Sequence, residues 1–466
     1  MRNLHRFWLI ASVIITALPL THAVSAQQIT ATPLTIRQAV ENALKIYPSV
    51  TVSQEQVNAA AAAIDLARTA YLPHVDGIAQ VNRATSNNVF GLLLPQAVVP
   101  SISGPVFGSN DFGTVWGSAV GGLVTWEPFD FGFRGANVSA AKASRTRAEA
   151  TLKRTEFEVS VATADAYLTL AAAQETVRTA QAGVDRSEVL QRSVRALVDA
   201  QLRPGADASM TEAELAIART QLAEAEQAVD VAKTVVAQFV GLQPQQVVIS
   251  GISSVQLPPD EAIPVFDSAQ NPVTAEQNAV VDQKKAELRI LEKSYVPRFF
   301  AQASVYARGT GANVNGTRLG GLNGLAPDTQ NYALGLSVNF PVLDFASIHA
   351  REAAQFSTIR AESARYQQIS TELTGQWNAA LATLSGSRSV AANTPVQVSS
   401  ADAALRQATA RYQSGLGTII EVADAQRLLT QAQIDDALAR LNVWRAWLRV
   451  AATSGDIRPF LTGASQ

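Results

Sequence analysis

The 466-residue chain contains no cysteine. That excludes a disulfide framework, thiolate chemistry, a cysteine-ligated zinc site and an N-terminal lipid carried on cysteine. Histidine is nearly as scarce. Beyond residue 26 only His74 and His349 remain, too few for a histidine metal cluster or a catalytic triad. Charged residues make up 16% of the chain, well below the usual share of about a quarter. The net charge of −2 gives no reason to expect a nucleic-acid partner. There is no phosphate-binding glycine loop, nucleophile elbow or metal-ligand spacing. The chain is therefore read as no enzyme, with no cofactor and no metal.

Long hydrophobic runs are also missing after the N-terminus: no stretch of about eighteen apolar residues marks a transmembrane helix. The N-terminus itself reads as a secretory signal peptide over 1–26. Arg2, His5 and Arg6 form a basic opening, Phe7 to Leu20 an apolar core, and Val24-Ser25-Ala26 a small-residue cleavage site. An exported, charge-poor chain without a membrane helix is either a large periplasmic protein or a β-barrel.

What the sequence does contain is a repeat. Tyr71-Leu72-Pro73 matches Tyr295-Val296-Pro297, and each is preceded, 25 positions before its final proline, by another proline, Pro48 and Pro272. A second corner, Trp126-Glu127-Pro128-Phe129-Asp130-Phe131, matches Phe340-Pro341-Val342-Leu343-Asp344-Phe345. Two glycine turns follow at similar distances, Arg203-Pro204-Gly205 and Gln413-Ser414-Gly415. Each unit reads as helix, strand, strand, very long helix, tight turn, helix. The first repeat is assigned to 27–241, a linker rich in Pro, Gln and Ser to 242–273, the second repeat to 274–454 and a C-terminal tail to 455–466.

The long segments, about 131–202 and 345–412, would each span roughly 100 Å as helix. Their apolar residues fall three and four apart: Phe157, Val161, Ala164 and Leu168 in the first, and Tyr366, Ile369, Leu373, Trp377, Ala380 and Leu384 in the second. Such stripes suit coiled-coil seams. Pro395 is expected to kink or locally break the second helix.

Between the corners, strands are expected at 74–83, 114–126, 298–308 and 331–340. In the last, Tyr332, Leu334, Leu336, Val338 and Phe340 share one face, and Asn331, Ala333, Gly335, Ser337 and Asn339 the other. Two readings compete: a soluble sheet covered on one face by helices, and a lipid-facing barrel. Strand length and the aromatics Trp116, Trp126, Phe129 and Phe340 favour the barrel. Four strands cannot close one, since about eight is the smallest common number. Open edges are forbidden in lipid, so subunits must share a barrel. Two chains would close eight strands and three would close twelve; geometry alone leaves both open.

The ordered landmarks, together with Tyr412-Gln413-Ser414-Gly415 running into Thr418-Ile419-Ile420-Glu421-Val422-Ala423-Asp424-Ala425, resemble the TolC family of outer-membrane efflux proteins. The resemblance covers essentially the whole mature chain. It implies a mainly α fold with a membrane β-barrel. Long coiled-coil helices would form an α-barrel, and four strands per chain would contribute to a shared twelve-stranded barrel in a homotrimer. It implies a passive exit duct of a tripartite efflux or type I secretion system, set in outer-membrane lipid with a helical tunnel in the periplasm. A periplasmic adaptor (membrane fusion protein) and an inner-membrane pump would be its partners. The rival reading is a periplasmic coiled-coil adaptor or scaffold, which explains the long helices but not two strand pairs at equivalent places.

By the same resemblance, Tyr412 stands at the family's gate tyrosine, Asp424 at one acidic-ring position and Glu421 where the other usually carries aspartate. Gly417 occupies a place where a basic residue often locks the tip, and Thr211 replaces an acid that often pairs across the gate. A lock held more by packing and hydrogen bonding than by charge is expected. Gly205, Ala206, Gly415 and Leu416 are the expected adaptor-docking tips, the glycines supplying positive φ. The connection 84–113, unusually apolar, reads as an inward lid or as a contact with the outer leaflet or a surface layer.

Overall fold

The computed structural model describes residues 33–85, 113–250, 257–258, 266–313 and 317–464. The signal-peptide assignment and nearly all of the apolar 84–113 connection lie outside the described residues.

Two helices, α1 (Ile36–Ile46) and α2 (Pro48–Thr69), lead into strands β1 (His74–Thr85) and β2 (Thr114–Phe129). The chain then runs through α3 (Phe133–Asp199), turns, and returns as α4 (Gly205–Val240). The second unit repeats the order with α5 (Pro272–Glu292), β3 (Arg298–Thr310), β4 (Thr329–Asn339), α6 (Phe345–Gln413) and α7 (Ile419–Ser454). A short α8 (Arg458–Gly463) closes the chain.

The matched prolines have a local cause: Pro48 and Pro272 are the first residues of α2 and α5. There the missing N–H is one no helix would use, and the fixed φ suits the start. Asn271 caps α5 by accepting from the Val273 N–H at 3.0 Å. The helix thus begins two residues inside the segment assigned as linker.

α3 and α6 are 67 and 69 residues long, roughly 100 Å each. α6 runs through Pro395 without a break, contrary to one of the two expected outcomes. Beside the proline, buried Thr394 lies 2.6 Å from Asp436 Oδ1 on α7, and Arg440 Nε donates to the same carboxylate at 3.0 Å. These contacts tie α6 to its partner at the turn where its own hydrogen-bond ladder loses a donor.

The main core sits mid-way along the helices. Tyr167, Leu168, Leu170, Val236, Trp377, Leu384, Trp444, Trp447 and Phe460 are all buried in it. The Tyr167 hydroxyl lies 2.5 Å from the Ser250 carbonyl and 2.9 Å from that of Leu34, beside a parallel bridge between Leu34 and Ile249. The start of the described chain and the start of the linker are therefore stitched together on α3. Phe460 of α8 is fully buried against Trp444 and Trp447, with ring centroids 6.3 and 5.5 Å away. The segment assigned as a tail is thus a folded plug on α7, and the tryptophans three apart are packing residues.

The four strands form one antiparallel sheet in the order β1-β2-β3-β4. A bulge between Trp126 and Phe129 in β2 accommodates Pro128 and turns the chain toward α3. No helix among the described residues is long and apolar enough to cross a membrane.

Candidate functional site

Two ends of the molecule carry chemistry: the helix tips remote from the sheet, and the sheet itself. At the first tip α3 ends in a six-to-one closure, Leu202 N–H to the Leu197 carbonyl at 2.9 Å, with Gln201 N–H to Val198 at 2.9 Å. At the second, Leu416 N–H reaches Arg411 at 2.8 Å and Gly415 N–H reaches Tyr412 at 3.1 Å. Both are Schellman closures, which need one residue in the left-handed region. That residue is Gly415 (φ 77°) at the second tip and Gln201 (φ 59°) at the first.

This corrects one expectation. Gly205 is not the counterpart of Gly415; it is the first residue of α4 and lacks a positive φ. A Cβ there would touch nothing within 4 Å. The true offset at the tips is 214 residues, as at the corners Asp130 and Asp344. On that offset Leu202 pairs with Leu416, Arg203 with Gly417, and Asp207 with Glu421. Leu202 and Leu416 are both largely exposed, at 70% and 75%. The exposed apolar tips are therefore the two leucines, with Ala206 exposed in the first turn of α4.

Tyr412 is buried among Val194, Ile419 and Val422. Its hydroxyl donates to Asp207 Oδ2 at 2.9 Å. The Arg203 guanidinium lies over its ring at 4.4 Å and also donates to its carbonyl. Burial, then the hydrogen bond and negative charge of Asp207, push the phenol up to about 12, against a smaller opposing effect of Arg203. A side chain at Gly417 would start in a tight place, because a Cβ there would lie 3.1 Å from Arg411 Cβ and 3.3 Å from both Glu421 Oε2 and the Tyr412 nitrogen. The basic residue expected at 417 is instead found at its repeat counterpart, Arg203. Neither Arg203 nor Asp207 was singled out as a site residue from sequence; correct alignment of the two turns would have found both.

Glu421 and Asp424 lie one turn apart at the start of α7, and neither is a bare carboxylate. Glu421 forms a capping box with Thr418 and lies 3.6 Å from Arg411 Nε. Asp424 pairs with Arg427, whose Nε is 3.9 Å from Glu214. Thr211 is buried and donates back to the Ala208 carbonyl at 2.9 Å, so it reaches across to nothing. Asp424, Glu214 and Arg427 border a groove of about 770 Å³ between α3, α4 and α7.

On the sheet, cross-strand partners put Tyr332 with Val305, Leu334 with Ala303, Leu336 with Ala301 and Val338 with Phe299. Alternation continues this face through Val124 and Trp126 on β2 and Val75 on β1. It is uncovered: Leu334 is 78% and Leu336 86% exposed, and Phe340 just past β4 is exposed too. The opposite face carries buried Gln302 and Ser304, half-buried Ala333 and exposed Gly335. Among the described residues, helices cover neither face, against the soluble-sheet expectation, and β1 and β4 each leave one edge without a strand partner.

Where sheet meets helices, Asp130 folds the chain. It accepts from the backbone N–H groups of Gly132 at 3.1 Å and Arg134 at 2.5 Å, and from Arg134 Nε at 3.0 Å. Burial pushes its carboxyl up, but these bonds and the guanidinium charge together hold it below the usual carboxylate value. Arg134 in turn lies 4.6 Å over the Tyr71 ring, which ties the two corners of the first repeat together.

The model of the outer membrane efflux protein family matches residues 39–242 and 268–456. Among solved structures, the outer membrane protein VceC of Vibrio cholerae is 16% identical with a TM-score of 0.68, over 90% of this chain and 96% of that one. The MtrE outer membrane channel of Neisseria gonorrhoeae, solved in its open state, is 18% identical with a TM-score of 0.70, over 91% and 89%. The Campylobacter jejuni CmeC outer membrane channel is 14% identical with a TM-score of 0.69, over 97% and 94%. A search of curated proteins found no match.

Proposed function

Since this chain belongs to the outer membrane efflux protein family and is an outer-membrane exit duct for efflux, we propose that three copies close the duct, that the helix tips gate it, and that an adaptor docks on those tips. The observation carrying the assembly is the sheet. Its outward face is apolar and exposed, and both edges are open. Backbone groups on such edges must be paired inside a bilayer. Joining β4 of one subunit to β1 of the next satisfies them, and three subunits supply twelve strands. The adaptor reading of the chain itself has no support in this family.

In the closed state the Tyr412–Asp207 bond, clamped by Arg203, ties α6 to α4 within each subunit. Arg411 and Arg427 partly neutralise Glu421 and Asp424, so the entrance is a ring of acid–arginine pairs, less negative than six free carboxylates. The exposed Leu202 and Leu416, flanked by Ala206 and Gly415, offer six apolar knobs to an adaptor delivering cargo from an inner-membrane pump.

The test is single-channel recording of purified, cross-linked protein in planar bilayers. Twelve-strand closure predicts trimers on cross-linking and small, cation-selective steps. Millimolar divalent cations on the tip side should block them weakly, with relief in Glu421→Ala/Asp424→Ala. Dimers would refute the stoichiometry, and unaltered block in the double variant would refute the acidic entrance.

A further inference from the structure

Arg83 stands on the wrong face for a barrel charge. It is the cross-strand partner of Trp116, and strand alternation puts both on the face shared by Val75, Val124, Trp126, Leu334 and Leu336. Its guanidinium lies 5.3 Å from the Trp116 ring, and its Nε donates to Thr114 Oγ1 at 3.0 Å. Arg83 itself is exposed.

Height explains the placement. β1 leaves the helices at His74, so Arg83 lies at the sheet end remote from them, which faces outward in an outer-membrane duct. Trp116 and Trp126 are ten residues apart on β2, roughly 33 Å along the strand. With a tilt of about 40° they stand roughly 25 Å apart in height, the thickness of a barrel's apolar band. Trp126 therefore marks one membrane interface and Trp116 the other. Arg83 sits at the outer one, turned toward lipid.

We propose that Arg83, oriented by Trp116 and Thr114, binds the phosphate headgroup of an outer-leaflet lipid whose acyl chains lie on the apolar face below. A guanidinium offers paired donors matching phosphate oxygens, and the indole face holds it without neutralising it. This rests on the lipid-facing assignment of the sheet.

The experiment is native mass spectrometry of the detergent-extracted assembly reconstituted with bisphosphorylated lipid A, in parallel with conductance recording. Wild type should retain lipid A. Arg83→Gln should lose most of it, at least several-fold, while still conducting and resisting heat in unheated gels. Arg83→Lys should retain part, and Trp116→Leu, which leaves the charge, should also weaken retention. Equal retention by Arg83→Gln, or displacement by millimolar inorganic pyrophosphate as readily as by lipid A, overturns the proposal. Wild-type protein that conducts but fails these arms leaves the duct intact and only the lipid site lost. Wild-type protein that neither conducts nor fractionates with outer membrane overturns both.

Discussion

The hydroxyl of Tyr412, at the last turn of one long helix, donates to Asp207 Oδ2 at 2.9 Å in the first turn of the helix after the other. One hydrogen bond thus joins the two repeats at their tips. A bond to a charged acceptor is worth about 1.5–3 kcal/mol, enough to shift the proposed gate if its two states are close in energy.

Tyr412→Phe removes the donor and leaves the ring packed. Entry of bulky antibiotics into cells should rise several-fold, and open probability in bilayers should increase. Asp207→Asn keeps an acceptor oxygen and should leak less than Tyr412→Phe. Equal, wild-type leakage from both variants would show that the bond does not hold the gate.

Alkali should mimic the first variant. The Tyr412 phenol is raised to about 12 in the folded protein from an ordinary value of about 10. Its contribution is therefore complete below about pH 10 and is lost as pH rises through about 12. Conductance should increase over that interval in wild type and stay flat in Tyr412→Phe; a matching rise in the variant would assign the effect to other groups.

At the junction, Asp130 and Arg134 form a pair with side chains only 9% and 6% exposed. Asp130→Asn leaves a buried guanidinium without its counter-charge, a loss of about 3–5 kcal/mol for pairs of this kind. The assembly should dissociate at lower temperature in semi-native gels. Because the folded carboxyl is held low, its stabilisation is present above the usual carboxylate value and fades as pH falls below it. The wild-type advantage over Asp130→Asn should shrink in acid.

The turns predict three different results from glycine exchanges. Gln201→Gly relieves a side chain in the left-handed region and should stabilise by about 1 kcal/mol; Gly415→Ala introduces that strain and should destabilise by about 1–2 kcal/mol. Gly205→Ala should be nearly neutral, since its φ is not positive and its Cβ meets open space. Apparent unfolding midpoints followed by circular dichroism would rank them.

The repeat, the strands and the long helices were legible because each leaves a local mark: prolines at helix starts, alternation on the strands, Asp130 and Asp344 at the corners. The proposed gate was legible only in part. Sequence reasoning looks for glycine where a turn needs positive φ, and Gly205 drew the alignment four residues off. The residue in the left-handed position is Gln201, a choice that only backbone geometry reveals. With the register slipped, Arg203 and Asp207 lost their counterparts. The salt partners of Glu421 and Asp424 were hidden for another reason: Arg411 and Arg427 lie nearby in sequence, but whether they turn toward the acids is a matter of rotamer and packing. The break expected at Pro395 did not form, because helix propensity is local, whereas the hold on that turn comes from Asp436 on a neighbouring helix.

The two unpartnered sheet edges also have a genetic consequence. A barrel wall completed by neighbours, as in the proposed trimer, would make every subunit answerable for the others. If a cell made intact copies and copies with a damaged β1 or β4 edge in equal amounts, random mixing in threes would leave only about one assembly in eight free of a faulty seam. Lesions along those edges should therefore be dominant, whereas lesions confined to one subunit's interior should be masked by a good copy.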